Sequence, residues 1–196
     1  SAGKTRIRHL MTITGFEQVG ASLSSIVRTI VFGRSGNNLI RRPVATATGA
    51  DDRLAIADTG CRCVHLYIPA ESKYLKLYGG PDEMRSPVGV AFDDELRLYV
   101  SDSARGAIDV FDSRGAFVFS LKKAGDAPLK RPTGLACSPK KKTVFAADSL
   151  AHKIYAFNTK GDLLFSFGER GNKKGQFNFP THIDVSPSGQ LFVTDA

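Results

Sequence analysis

The chain has 196 residues, 42% hydrophobic and 23% charged, the balance of a globular protein. No apolar run approaches the roughly 20 residues that a membrane-spanning helix needs. A formal net charge of +8 favours acidic partners, such as nucleic acid, anionic lipid or an acidic protein surface, without choosing among them.

Ser1 to Thr5 read SAGKT and mimic the end of a phosphate-binding loop. That motif needs an earlier glycine, a strand before it and a helix after it, so the match is read as coincidence. The chain opens on Ser1 and not on Met, so an upstream segment is expected to have been removed or left out, and nothing about export follows from its start. RIRHLMTI reads as a strand in a lead-in segment over 1–27 that packs on or closes the fold. IVRTIVFG is the expected outer strand before the first full repeat, and Gly33-Arg34-Ser35-Gly36 a turn.

From residue 43 the chain repeats itself, and repeats of this length decide architecture. Pro43, Pro87, Pro132 and Pro180 recur at intervals of 44, 45 and 48 residues, leading the stretches VATAT, VGVAF, TGLAC and THIDV. Asp58, Asp102, Asp148 and Asp195 recur at 44, 46 and 47 residues, closing the apolar runs LAIAD, LYVSD, VFAAD and LFVTD. A third run in each of the first three units ends on Tyr67, Phe111 or Phe157, and a fourth on Tyr78, Leu121 or Phe167. Period-two alternation of this kind predicts strands, and no stretch holds a helical period. The turns agree: Asp112-Ser113-Arg114-Gly115 and Asn158-Thr159-Lys160-Gly161 place glycine where a hairpin needs positive φ. Four strands per unit at a period in the mid-forties predict the blades of a β-propeller, about 43–80, 87–122, 132–168 and a partial 180–196.

Each repeat aspartate stands before a tight turn such as DTGCR or DSARG. A carboxylate there is expected to accept bonds from turn amides and to pair with the following Arg62, Arg105 or Lys153, a structural role. The three cysteines, Cys61, Cys63 and Cys137, are an odd count that argues against a disulfide framework. They are expected to be buried or half-buried free thiols, with a soft-metal site on both thiolates of the C-x-C pair as the alternative.

These motifs resemble the NHL repeat, whose pattern runs Pro-x-Gly-hydrophobic-Ala, then hydrophobic-Tyr-Val-Ala-Asp, then a Val-Phe-Asp strand and a Phe-Gly loop. The likeness is strongest over Pro87 to Asp112 and Phe165 to Asp195, and it covers about residues 28–196. The resemblance implies an all-β, six-bladed propeller of four-stranded antiparallel blades. The lead-in RIRHLMTITGFEQVG is similar to that of bacterial exported NHL-repeat proteins, often lipoproteins, which implies a periplasmic, outer-membrane-anchored or extracellular place. Three full blades and two strands of a fourth fall short of six, so the chain is expected to be part of a larger propeller, or to have its remaining blades supplied by a partner chain.

In such a fold the loop leading into each innermost strand and the loop after each aspartate share one end. Candidate partner-facing residues on those loops are Arg41, Arg42, Arg62, Arg85, Arg105, Lys130, Arg131, His152, Lys153, Lys173 and Lys174, with Arg170 beside them. The leading expectation is a non-catalytic binding scaffold that presents this basic end to a protein partner with an acidic surface, in an envelope or multihaem cytochrome assembly. The alternatives are an RNA-binding domain and a metal-dependent lyase or hydrolase with its site in further blades. Family lyases draw histidines from several innermost strands, but the second residue after each repeat proline is Ala45, Gly89, Gly134 or His182. His182 alone is a weak metal candidate, since a site needs several ligands. No cofactor, catalytic triad or repeating calcium ligand set is expected.

Overall fold

A computed structural model describes residues 39–196, and the compact unit it defines spans Arg41–Ala196. The strands and turn expected before residue 39 lie outside the described residues. Strands β1 (Pro43–Thr48), β2 (Leu54–Asp58), β3 (Cys63–Ile68) and β4 (Lys73–Leu77) form one antiparallel four-stranded sheet in that order. The second sheet is β5 (Pro87–Phe92), β6 (Leu98–Asp102), β7 (Ala107–Phe111) and β8 (Phe117–Leu121). A short hairpin, β9 (Lys123–Ala124) with β10 (Ala127–Pro128), follows. Then come β11 (Pro132–Ser138), β12 (Thr143–Asp148), β13 (Lys153–Asn158) and β14 (Leu163–Phe167), and finally β15 (Pro180–Val185) paired with β16 (Leu191–Asp195). The described residues contain no α-helix, as the period-two pattern requires.

Each sheet is a blade whose two faces pack against its neighbours, so alternate side chains of one strand enter different cores. Between blades one and two lie Val64, Leu66, Ile68, Leu98, Val100 and Phe111. Between two and three lie Tyr99, Ile108, Val110, Val144, Tyr155 and Phe157. Ala136, Phe145, Ile154 and Ile183 join three to four. Burial on both faces explains why β6, β7 and β12 are buried at every position, while the alternation still sorts residues by blade interface.

The innermost strands β1, β5, β11 and β15 neighbour one another in chain order. The glycine of Pro-x-Gly is the point of contact. A Cβ on Gly89 would fall 2.2 Å from the Thr133 carbonyl oxygen, and one on Gly134 2.7 Å from His182 Cα. Only glycine allows two backbones so close. Each innermost strand also shifts register just after its proline, a bulge that turns the strand at the point where blades meet. Hydrogen bonds tie the same seam: the Ser101 hydroxyl donates to the Thr133 carbonyl, and the Thr133 hydroxyl to Pro180 O at 3.1 Å. At the opposite rim, Arg53 Nη1 donates to Ser113 O at 2.6 Å and Arg97 Nη1 to Thr159 O at 3.3 Å, two equivalent struts from one blade to the hairpin turn of the next.

Candidate functional site

The end of each blade that carries the repeat aspartate is built the same way. Asp58 Oδ2 accepts the Arg41 amide at 2.6 Å, and its Oδ1 accepts those of Arg42 and Gly60, each at 2.8 Å, and Cys61 at 3.3 Å. Asp102 takes the amides of Arg85 (2.7 Å), Ser86 (3.0 Å), Ala104 (3.1 Å) and Arg105 (3.2 Å). Asp148 takes Lys130 (2.7 Å), Arg131 (2.9 Å) and Ala151 (3.0 Å), and Asp195 takes Asn178 and Phe179. A buried carboxylate satisfied by backbone donors clamps the incoming loop to the turn after β2, β6 or β12. Burial alone would push the Asp58 carboxyl up, but these amides, with His65, outweigh it and hold the group below its ordinary value.

This clamp corrects one expectation. The aspartates bind chiefly backbone: of the expected side-chain partners Arg105 does pair with Asp102, at 3.7 Å, but among the described residues neither Arg62 nor Lys153 forms an ion pair. Because the loop's amides turn inward, its side chains turn out. Arg41, Arg42, Arg62, Arg85, Lys130, Arg131, Lys173 and Lys174 are all exposed and, among the described residues, free of ion pairs, and Arg170 is exposed beside them. The loops of adjoining blades meet: the Cβ position of Gly106 lies 2.6 Å from Leu129 O, and His152 Nδ1 binds the Asn178 carbonyl.

Arg105 is a second correction. It was expected to face a partner, but its side chain is 8% exposed and Nη1 lies 2.7 Å from Asp109 Oδ2 and 3.7 Å from Asp102 Oδ2. His152 and Lys153 are half-buried, His152 with its ring 5.7 Å from that of Phe179. Lys140, Lys141 and Lys142 sit in the turn between β11 and β12 at the opposite end, so the basic end does not hold all the surplus charge.

The cysteines are the third correction. Cys61 and Cys63 are joined by a disulfide, and Cys137 alone is a free thiol among the described residues, half-buried and pushed up by burial. The two sulfurs lie against a histidine the sequence reading passed over. His65 Nε2 is 3.5 Å from Cys61 Sγ, 3.7 Å from Cys63 Sγ and 3.2 Å from Asp58 Oδ2, while Nδ1 meets the Tyr74 hydroxyl at 2.7 Å. Cys63 and His65 are fully buried and Cys61 half-buried. Burial holds the imidazole below its ordinary value despite the Asp58 carboxylate. The signal was present: Cys63 and His65, two apart on one strand, share a face.

His182 is exposed, its amide donating to Thr194 Oγ1 at 3.1 Å and its Nδ1 3.2 Å from Thr181 Oγ1. It joins no group of metal-ligating side chains among the described residues; Cys61, Cys63 and His65 are the group that forms one. The innermost strands line an open cleft of about 430 Å3 whose walls include Thr46, Val90, Leu135, Cys137 and Asp184.

Four-stranded antiparallel blades meeting along their innermost strands define the β-propeller class, and solved structures agree. The fold matches a virginiamycin B lyase from Staphylococcus aureus with a TM-score of 0.63 at 16% identity, covering 78% of this chain and 48% of that one. A streptogramin B lyase matches with a TM-score of 0.63 at 11% identity over the same shares of the two chains. Kuenenia stuttgartiensis hydrazine synthase matches with a TM-score of 0.61 at 19% identity, covering 77% of this chain and 41% of that one. The chain thus spans about half the length of these structures, and the likeness is one of fold. No protein-family model and no curated protein matches the sequence.

Proposed function

We propose that this chain is part of an NHL-type propeller that serves as a non-catalytic binding scaffold, its basic loop end docking an acidic protein surface in a cell-envelope or extracellular assembly. One observation carries the reading: the repeat aspartates are occupied by backbone amides, leaving eight cationic side chains exposed and unpaired at that end among the described residues. Loops held on a rigid frame are where proteins place binding groups, and a cationic excess over the exposed Asp82, Glu83 and Glu169 of the same loops steers acidic partners.

Crosslinking mass spectrometry on the natively purified full-length protein, with and without ribonuclease, tests the proposal. A protein crosslinked through Lys130, Lys173 or Lys174 that survives ribonuclease is the expected result. Combining Arg85→Glu, Lys130→Glu and Arg131→Glu should slow association roughly tenfold at low salt, with stability changed by less than about 0.5 kcal/mol, because rim charges act on encounter. Unchanged association would sink the reading. Loss of every partner on ribonuclease treatment would put RNA in its place, with the exposed Phe179 ring beside His152 as a stacking surface.

A further inference from the structure

Blade one carries a cluster that its neighbours lack. Counting from the repeat aspartate, the third, fifth and seventh residues are Cys61, Cys63 and His65 in blade one. In blade two they are Arg105, Ala107 and Asp109, and in blade three Ala151, Lys153 and Tyr155. The fold therefore does not require thiols here; a buried ion pair fills the slot in blade two and a tyrosine in blade three. Nor does the bridge serve chiefly to hold the blade. It joins residues two apart, so it closes a very short loop and constrains little of the unfolded chain.

The donor atoms converge. The Cys61, Cys63 and His65 ligand atoms all lie within 4.8 Å of one another. The sulfur-to-nitrogen distances, 3.5 and 3.7 Å, are already those of two donors sharing one ion, which at bond lengths of about 2.0–2.3 Å stand roughly 3.5–3.9 Å apart. Asp58 contributes no further ligand, because its oxygens are taken by the amides of Arg41, Arg42, Gly60 and Cys61, and its Oδ2 also meets His65 Nε2 at 3.2 Å. Two thiolates and an imidazole in a buried slot form a soft, three-donor set, the kind that selects monovalent copper.

We propose that reducing the Cys61–Cys63 bridge opens a soft-metal site in which both thiolates and His65 Nε2 hold one copper(I) ion. The bridge is the closed state, since bonded sulfurs cannot both coordinate. An external dithiol opens it: one thiolate of the dithiol attacks the half-buried Cys61 sulfur, the S–S bond breaks, and Cys63 leaves as a thiolate. The second thiol of the dithiol then attacks the mixed disulfide and frees Cys61. Two electrons and two protons pass to the protein, and the dithiol becomes a disulfide. Copper binding then displaces the protons from the two thiols and the one that His65 Nε2 holds toward Asp58 Oδ2, which passes to Nδ1 beside the Tyr74 hydroxyl.

The test uses the full chain in a Cys137→Ala background, so that no other described thiol is counted. Reduced with dithiothreitol, desalted without oxygen and titrated with copper(I) against the chelator bicinchoninate, the protein should retain one equivalent and show thiolate-to-copper absorption in the ultraviolet. The diamide-oxidised protein and reduced Cys61→Ser should bind roughly a hundredfold more weakly, and His65→Asn roughly tenfold more weakly. Circular dichroism should show the reduced chain still folded. Equal retention by oxidised and reduced protein, loss of all copper to the chelator, or unfolding on reduction would each overturn the proposal. The oxidised–reduced comparison needs no substitution in the slot, so the test stands even where His65→Asn fails to fold.

Discussion

Blades one and two share strand order, proline bulge and aspartate clamp, yet differ in what fills the space behind the clamp. Blade two seals it with charge: Arg105 lies between Asp109 and Asp102, and the Ser120 hydroxyl donates to Asp109. Blade one fills it with a disulfide against a buried histidine whose Nδ1 meets Tyr74. The clamp supplies the backbone geometry in both, so the slot is free to vary in chemistry. A repeat fold keeps the positions that join blades and leaves the positions within a blade to local use.

That contrast can be broken by substitution. Arg105→Ala leaves two buried carboxylates without their cation and should cost about 3–5 kcal/mol in urea unfolding. Arg105→Ala with Asp109→Ala should cost less than the sum of the single changes, since the pair acts as a unit. Clamp strength should follow burial: Asp148→Ala strands three amides and should cost about 3 kcal/mol, whereas exposed Asp195→Ala, whose amides can turn to water, should cost under about 1 kcal/mol.

Gly134→Ala should cost about 1–3 kcal/mol in the same assay, because its Cβ meets backbone atoms that cannot move aside. Reducing Cys61–Cys63 should lower stability by only about 1–2 kcal/mol, given so short a loop. The smallest effect concerns pH. The Asp51 carboxyl is held below its ordinary value chiefly by the Arg53 side chain, which lies 2.7 Å away and also bonds Ser113 O. A depressed carboxyl contributes stability that is present above about pH 4 and is lost as pH falls through its folded value. Arg53→Met should therefore flatten the acid limb of the thermal-stability profile; an unchanged limb would show that this strut carries no pH dependence.

The blade repeat was legible because hydrophobic alternation and turn residues are local signals, recurring at fixed spacing around Pro87, Asp102, Phe111 and Gly115. The aspartates' structural role was legible for the same reason, but their partners were not. Whether Asp58 bonds the side chain of Arg62 or the amides of Arg41 and Arg42 depends on a loop 16 and 17 residues back in the chain. Arg105 looked like a surface cation because its type and loop position say so. Its pairing with Asp102 was legible, but the proximity of Asp109 is what draws it in and buries it. Similarly, an odd cysteine count pointed away from a disulfide, and it is the turn after β2 that brings Cys61 to Cys63.

By itself, then, the sequence determined, over the described residues, the strands of the repeated blades and their turns, though not the β9–β10 hairpin, since these rest on residue-by-residue propensities and on which alternate positions are apolar. Tertiary structure alone decided which charges are spent and which are free. It set the close approach at Gly89 and Gly134, turned the loop amides inward, and gathered Cys61, Cys63 and His65 around one point, because each of these depends on distances between atoms that the order of residues does not specify.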